Sequence, residues 1–270
     1  MTCVILKRGN NMDYLHLQTS TSAPKTPLPL DLLVPGTEEG PGPFRLAVLL
    51  HDIAGNNTSW IRRYPVEDIF RGTGTIVAMP SCLNSFYVNM YYGYDMLDYI
   101  TRELPELLGR WLRVSDRRED RLIAGVGMGG YGAVRAALAE PWTYAKALSL
   151  DGLLNPESYY DQPIPSLRME DIFGPRGHFL QRTNNLLAAV KECRTANISG
   201  AGLPGIFLNQ TKPEASAGYS KKLAQALQEA GFTVSVTGES DEAALRHFAG
   251  CPTGSAAGNS SSGGENNGTD

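Results

Sequence analysis

Apolar positions along the chain follow two alternating rhythms. Residues 44–50 and 75–79 are short, nearly continuous apolar runs, the pattern of strands buried on both faces, and 121–124 is a third. Runs at 145–150, 203–208 and 232–237 repeat the pattern further along. Between them the period lengthens. Residues 94–112 place Met96, Ile100, Leu104, Leu107, Leu108 and Trp111 at helical spacing, and 60–71, 129–139 and 216–230 predict further helices. Strands alternating with helices predict an α/β protein with a mostly parallel central sheet covered by helices on both faces.

The ends of the chain break this rhythm. Residues 23–43 gather prolines and glycines around the short apolar piece 28–34, which predicts an edge strand between loops and a compact body beginning near Phe44. Residues 254–270 hold Gly, Ser, Asn and acidic residues with no large apolar side chain, the composition of a disordered tail. A single domain over 1–253 remains, with 155–197 interrupting the alternation as a cap-like insertion.

Composition narrows the partners. A chain of 270 residues with 42% hydrophobic residues can bury a sizeable core, and a net charge of -4 without a basic block excludes a phosphate-backbone partner. No stretch approaches the roughly 20 apolar residues of a membrane span, and no secretory leader is visible, so a cytoplasmic location is expected. Cys3, Cys82, Cys193 and Cys251 form no C-x-x-C pair, which predicts free thiols and no zinc cage. No cofactor motif is present.

Residues 121–133 read as a strand running into a glycine-rich turn and then a helix, the setting of a G-x-S-x-G nucleophile elbow. The elbow reads Gly125-Val126-Gly127-Met128-Gly129, so the position of the attacking serine holds Gly127. Glycine carries no atom that attacks a carbonyl, and acyl-enzyme chemistry by the usual route is impossible there.

This elbow, the run from Leu49-Leu50-His51-Asp52-Ile53 to Trp60, and the stretch from Met79-Pro80 through Tyr92-Gly93 resemble the putative-esterase family of α/β hydrolases. That family includes esterase D (S-formylglutathione hydrolase), bacterial tributyrin and acetyl esterases, and feruloyl and acetylxylan esterases. The resemblance implies an α/β-hydrolase fold, with the final layer incomplete because no last helix is visible after Cys251. It implies an oxyanion hole from the amides of Ile53 and Met128. Asp52, standing where the family has glycine, would oppose the negative charge of that hole if its side chain faces inward.

Ungapped alignment back from Gly231-Phe232 puts Glu214 at the family's acid and Ala243 at its histidine, so the base is lost together with the nucleophile. His247 lies one helical turn beyond Ala243 and is either a displaced base or a surface histidine. His51 is expected to support the oxyanion loop, while His16 and His178 have no partner visible in the sequence. Tyr87, Asn89 and Tyr92 either line the cleft or pack their loop against the sheet. Two functions follow: a catalytically impaired pseudoenzyme keeping a cleft for a small ester or sugar-like ligand, or a carboxylic-ester hydrolase working through rearranged residues.

Overall fold

The computed structural model describes residues 2–8, 12–165, 167–181, 184–195, 202–211 and 217–250. The predicted tail at 254–270 and Cys251 lie outside them. Nine strands form one sheet among these residues: β1 (Thr2–Arg8), β2 (Met12–Thr19), β3 (Leu28–Pro35), β4 (Arg45–Leu50), β5 (Thr75–Pro80), β6 (Arg121–Val126), β7 (Lys146–Leu150), β8 (Gly205–Asn209) and β9 (Val234–Thr237). Their order is β1-β2-β3-β5-β4-β6-β7-β8-β9. From β5 to β9 every pairing is parallel, and β1 to β3 extend the sheet in antiparallel fashion.

Two expectations for the N-terminus need correction. The folded body does not begin at Phe44, and β3 is not an edge strand: it is paired with β2 on one side and β5 on the other. β2 is half-buried over four consecutive positions, Asp13 to His16, so it lacks the continuous apolar run that marks the inner strands.

The inner strands divide their side chains between two cores. In β4, Leu46, Val48 and Leu50 face one core while Ala47 and Leu49 face the other, the period of two that a doubly covered strand requires. The first core packs beneath α5 (Met128–Ala139), whose Ala133, Ala136 and Ala137 let it lie close to the sheet. The second is covered by α1 (Ser59–Arg63), α2 (Val66–Phe70) and α10 (Asp241–Ala249).

The single helix expected over 60–71 is two. Tyr64 is extended (φ -131°, ψ 150°) ahead of Pro65, because a residue before proline is pushed out of the helical region. The helix over 94–112 is continuous but irregular, with α3 (Met96–Asp98), a π-helical turn at Tyr99–Glu103 and α4 (Leu104–Trp111), the π turn preceding Pro105 and its missing N–H.

The segment expected to cap the cleft forms α6 (Met169–Phe173), α7 (Arg176–Gln181) and α8 (Leu186–Thr195). Its Phe173, Phe179, Leu186 and Val190 join the core under the sheet, and α8 packs on α5 and on α9 (Ala217–Glu229). At the C-terminal end α10 closes the second core with Ala244, Leu245 and Phe248, while the helix expected to be missing after Cys251 falls outside the described residues. Ser240 caps it by accepting from the Ala243 amide, and Gly250 ends it at φ 85°. No helix of the structure is long and apolar enough to cross a membrane.

Candidate active site

β4 and β6 are adjacent and in parallel register, with Leu50 opposite Gly125, so the loop after β4 and the elbow after β6 emerge side by side. Gly127 turns the chain at φ 55° and ψ -114°, in the left-handed region that favours glycine. Its neighbours are glycines for a different reason. A Cβ on Gly129 would lie 2.2 Å from the Leu50 carbonyl oxygen, and one on Gly125 would lie 2.1 Å from the backbone of Gly129. Backbone touches backbone there, and no side chain fits.

The Asp52 side chain enters this junction. Its Oδ1 accepts from the Ile53 amide at 2.7 Å and from the Met128 amide at 2.8 Å. The two donors expected to form an oxyanion hole therefore converge on one point, and the chain's own carboxylate occupies it. Instead of opposing an empty hole, Asp52 is stabilised by those amides and by the N-terminal end of α5. A Cβ on Gly127 would sit 2.0 Å from Oδ1, so the carboxylate also takes the space of a nucleophilic side chain. Oδ2 has no hydrogen-bond or ion-pair partner among the described residues.

His51 holds the loop that carries Asp52. Its Nε2 accepts from the Cys82 amide at 3.0 Å, which leaves the proton on Nδ1 to be donated to the Asp52 carbonyl at 2.8 Å. Burial holds the imidazole below its ordinary pKa of 6.5 and keeps it neutral. With both ring nitrogens engaged, His51 has no lone pair for general-base work. Tyr87 is fully buried and donates to the His51 carbonyl at 2.9 Å, so it braces the same loop from below.

The other loop residues also have structural employment. Asn89 accepts from the Asp98 amide at 3.1 Å, and Tyr92 is exposed, edge-on to Tyr91 at 4.6 Å. Neither lines the cleft beside Asp52.

The acid and base positions tell a different story. Glu214 lies outside the described residues. Ala243 sits in the first turn of α10 with its amide on the Ser240 hydroxyl, and the helix that holds it offers no imidazole there. His247 is 66% exposed in the last turn of α10, with Nδ1 3.9 Å from Glu239, and does not reach the cleft.

Sequence reasoning missed what binds this corner together. Tyr64 donates to Asp241 Oδ2 at 2.7 Å, Asn209 donates to the Glu239 carbonyl at 3.0 Å, and Thr237 donates to Asn209 at 2.9 Å. Asp241 opens α10, and its tyrosine partner comes from another element, 177 residues away in the chain. Two histidines likewise gain partners: His16 Nδ1 lies 2.6 Å from the buried Asp31, and His178 Nδ1 lies 3.1 Å from the Phe173 carbonyl.

Beside Asp52 opens a cleft of about 220 Å³, lined by Asp52, Ile53, Ser59, Trp60, Arg63 and Tyr64 among others. Cys82 and Cys193 are buried free thiols. Among the described residues, no group of three His, Cys, Asp or Glu side chains is placed to hold a metal ion.

A strand, a tight elbow and a small-residue helix, facing a loop whose amide points at the elbow, define an α/β-hydrolase-type fold. The sequence model described as Putative esterase matches residues 83–247, and the chain belongs to that family. An acetyl esterase of Caldicellulosiruptor saccharolyticus is 29% identical over 111 residues, a match spanning 39% of this chain and only 40% of that relative's length. Among solved structures, the Staphylococcus aureus fluorophosphonate-binding serine hydrolase FphF superposes with a TM-score of 0.77 at 20% identity, covering 87% of this chain and 94% of its own. The S-formylglutathione hydrolase of Agrobacterium tumefaciens gives 0.68 at 18% identity, covering 92% and 96%. At such identities these two likenesses speak for the fold alone.

Proposed function

We propose that this chain is a catalytically impaired member of the esterase family that keeps a small ligand cleft. The observation carrying this reading is the seat of Asp52: one carboxylate oxygen satisfies both amides that would stabilise a tetrahedral oxyanion. A substrate carbonyl has to displace a charge-assisted pair of hydrogen bonds, and then meets Gly127, which brings no nucleophile. Ala243 supplies no base. Without nucleophile, base and open hole, family-type acyl transfer has none of its working parts.

The test is hydrolysis of short-chain p-nitrophenyl esters, with labelling by a fluorophosphonate probe in parallel. The wild type is expected to give no turnover above a heat-inactivated control and no labelled serine. Turnover that co-purifies with the chain and disappears in Asp52→Asn would overturn the reading and make Asp52 the base of a rearranged esterase. Restoring chemistry requires three changes together, Asp52→Gly, Gly127→Ser and Ala243→His, because a serine placed alone at 127 collides with the carboxylate.

A further inference from the structure

The substitution at Asp52 does more than fill a hole: it reverses the polarity of what the cleft presents. Where two amides would offer only donors, Asp52 Oδ2 now offers an unpaired charged acceptor. The opposite sign lies across the same lining. Arg63 contributes a guanidinium whose side chain is 47% exposed and whose contact with Asp241 is long, at 3.5 Å. Trp60, only 1% exposed, forms part of the wall, its indole N–H buried with no acceptor among the described residues. Ser59 adds a hydroxyl that accepts from the Asn56 amide and keeps its own proton to donate.

Size limits the occupant. Drug-sized ligands take roughly 300–1,000 Å³, and this cleft of about 220 Å³ is smaller. An occupant must bring a positive donor for Asp52 and a negative acceptor for Arg63 and Ser59. We infer that the cleft binds a small zwitterion of the α-amino-acid type, its ammonium on Asp52 Oδ2 and its carboxylate toward Arg63 and the Ser59 hydroxyl. A lone anion meets the Asp52 charge, and a lone cation meets Arg63. A neutral polyol satisfies the hydrogen bonds but neither charge, and so gains only the weaker, uncharged half of each interaction. This inference rests on the cleft being a binding site rather than a working esterase centre.

The experiment is titration calorimetry of the full chain with four probes of one carbon count: L-alanine, propylamine, propionate and glycerol. L-Alanine is expected to bind more tightly than the other three. Asp52→Asn, which keeps the shape and removes the charge, is expected to weaken L-alanine by about tenfold or more. Arg63→Gln, a half-exposed change that spares the core, is expected to weaken it by a similar factor. Binding of glycerol or propionate at least as tight as L-alanine overturns the inference, as does no saturable heat with L-alanine or unchanged affinity in Arg63→Gln. The ester assay on the same preparation separates the two readings. Failure of L-alanine to bind without ester turnover removes only the amino-acid assignment, whereas ester turnover removes the reading beneath it.

Discussion

Around Gly127 the backbone follows the path that acyl-transfer chemistry needs: glycines at 125 and 129 permit the close crossing, and the amides of Ile53 and Met128 aim at one point. Across the cleft, where β8 and β9 end and α10 begins, the side chains form a closed polar network of Tyr64, Asp241, Asn209 and Thr237, with His247 turned to solvent. The first region is set by backbone contacts, the second by side-chain hydrogen bonds. The contrast separates two kinds of constraint. A backbone crossing is held by packing of the whole sheet against α5, whatever side chains it carries. A polar network is held by its own hydrogen bonds.

The largest effect is expected from attacking the frame itself. Gly129→Ala drives a Cβ into the Leu50 carbonyl, where neither backbone can yield, and is expected to cost more than about 3 kcal/mol or to prevent soluble expression. Thermal unfolding checks this, and a tolerated alanine breaks the claim that the crossing is a packing constraint.

Next comes the content of the frame. Gly127→Ser alone is expected to destabilise by roughly 1–3 kcal/mol from overpacking against Asp52. The same change in an Asp52→Gly background should cost at least about 1 kcal/mol less, a coupling read from the double-mutant cycle. Additive effects would mean that the two positions do not share the space.

A smaller effect separates His51 from a catalytic histidine. Because burial depresses its pKa, the unfolded chain binds more protons than the folded one as pH falls below 6.5, so this stability is complete above that value and is lost below it. Melting temperature is therefore expected to drop between about pH 7 and pH 5.5 in the wild type and to drop less in His51→Gln. Equal slopes would remove His51 from the list of buried neutral groups.

The smallest effect tests the second region. His247→Ala is expected to change stability by no more than about 0.5 kcal/mol and to leave the ester assay unchanged, since the imidazole is largely exposed. Any loss of turnover attributable to it would return a base to the site.

Much of this was legible before the fold. The inner strands β4 to β8 announced themselves as apolar runs because a strand covered on both faces has no polar side to interrupt it. Strand β2 did not, because its largely half-buried positions carry mixed residues. Gly127 was readable as the residue at the elbow's serine position, and Ala243 as the residue that ungapped alignment puts at the family's histidine. The destinies of Tyr87 and Asn89 were not, since an aromatic or amide in a glycine-rich loop fits a cleft wall and a buried brace equally well, and only packing separated them.

What the sequence determined by itself is the alternation that builds the sheet and the elbow at 125–129 with glycine at its centre, all of which are local or periodic. What the tertiary structure alone decided is where the Asp52 carboxylate goes. Its Met128 partner lies 76 residues away in the chain, and they meet because β4 and β6 are neighbours in register and glycine at 127 leaves room between them. A hydrogen bond of that reach is set by strand order and side-chain vacancy, and neither is written in the residues around either end.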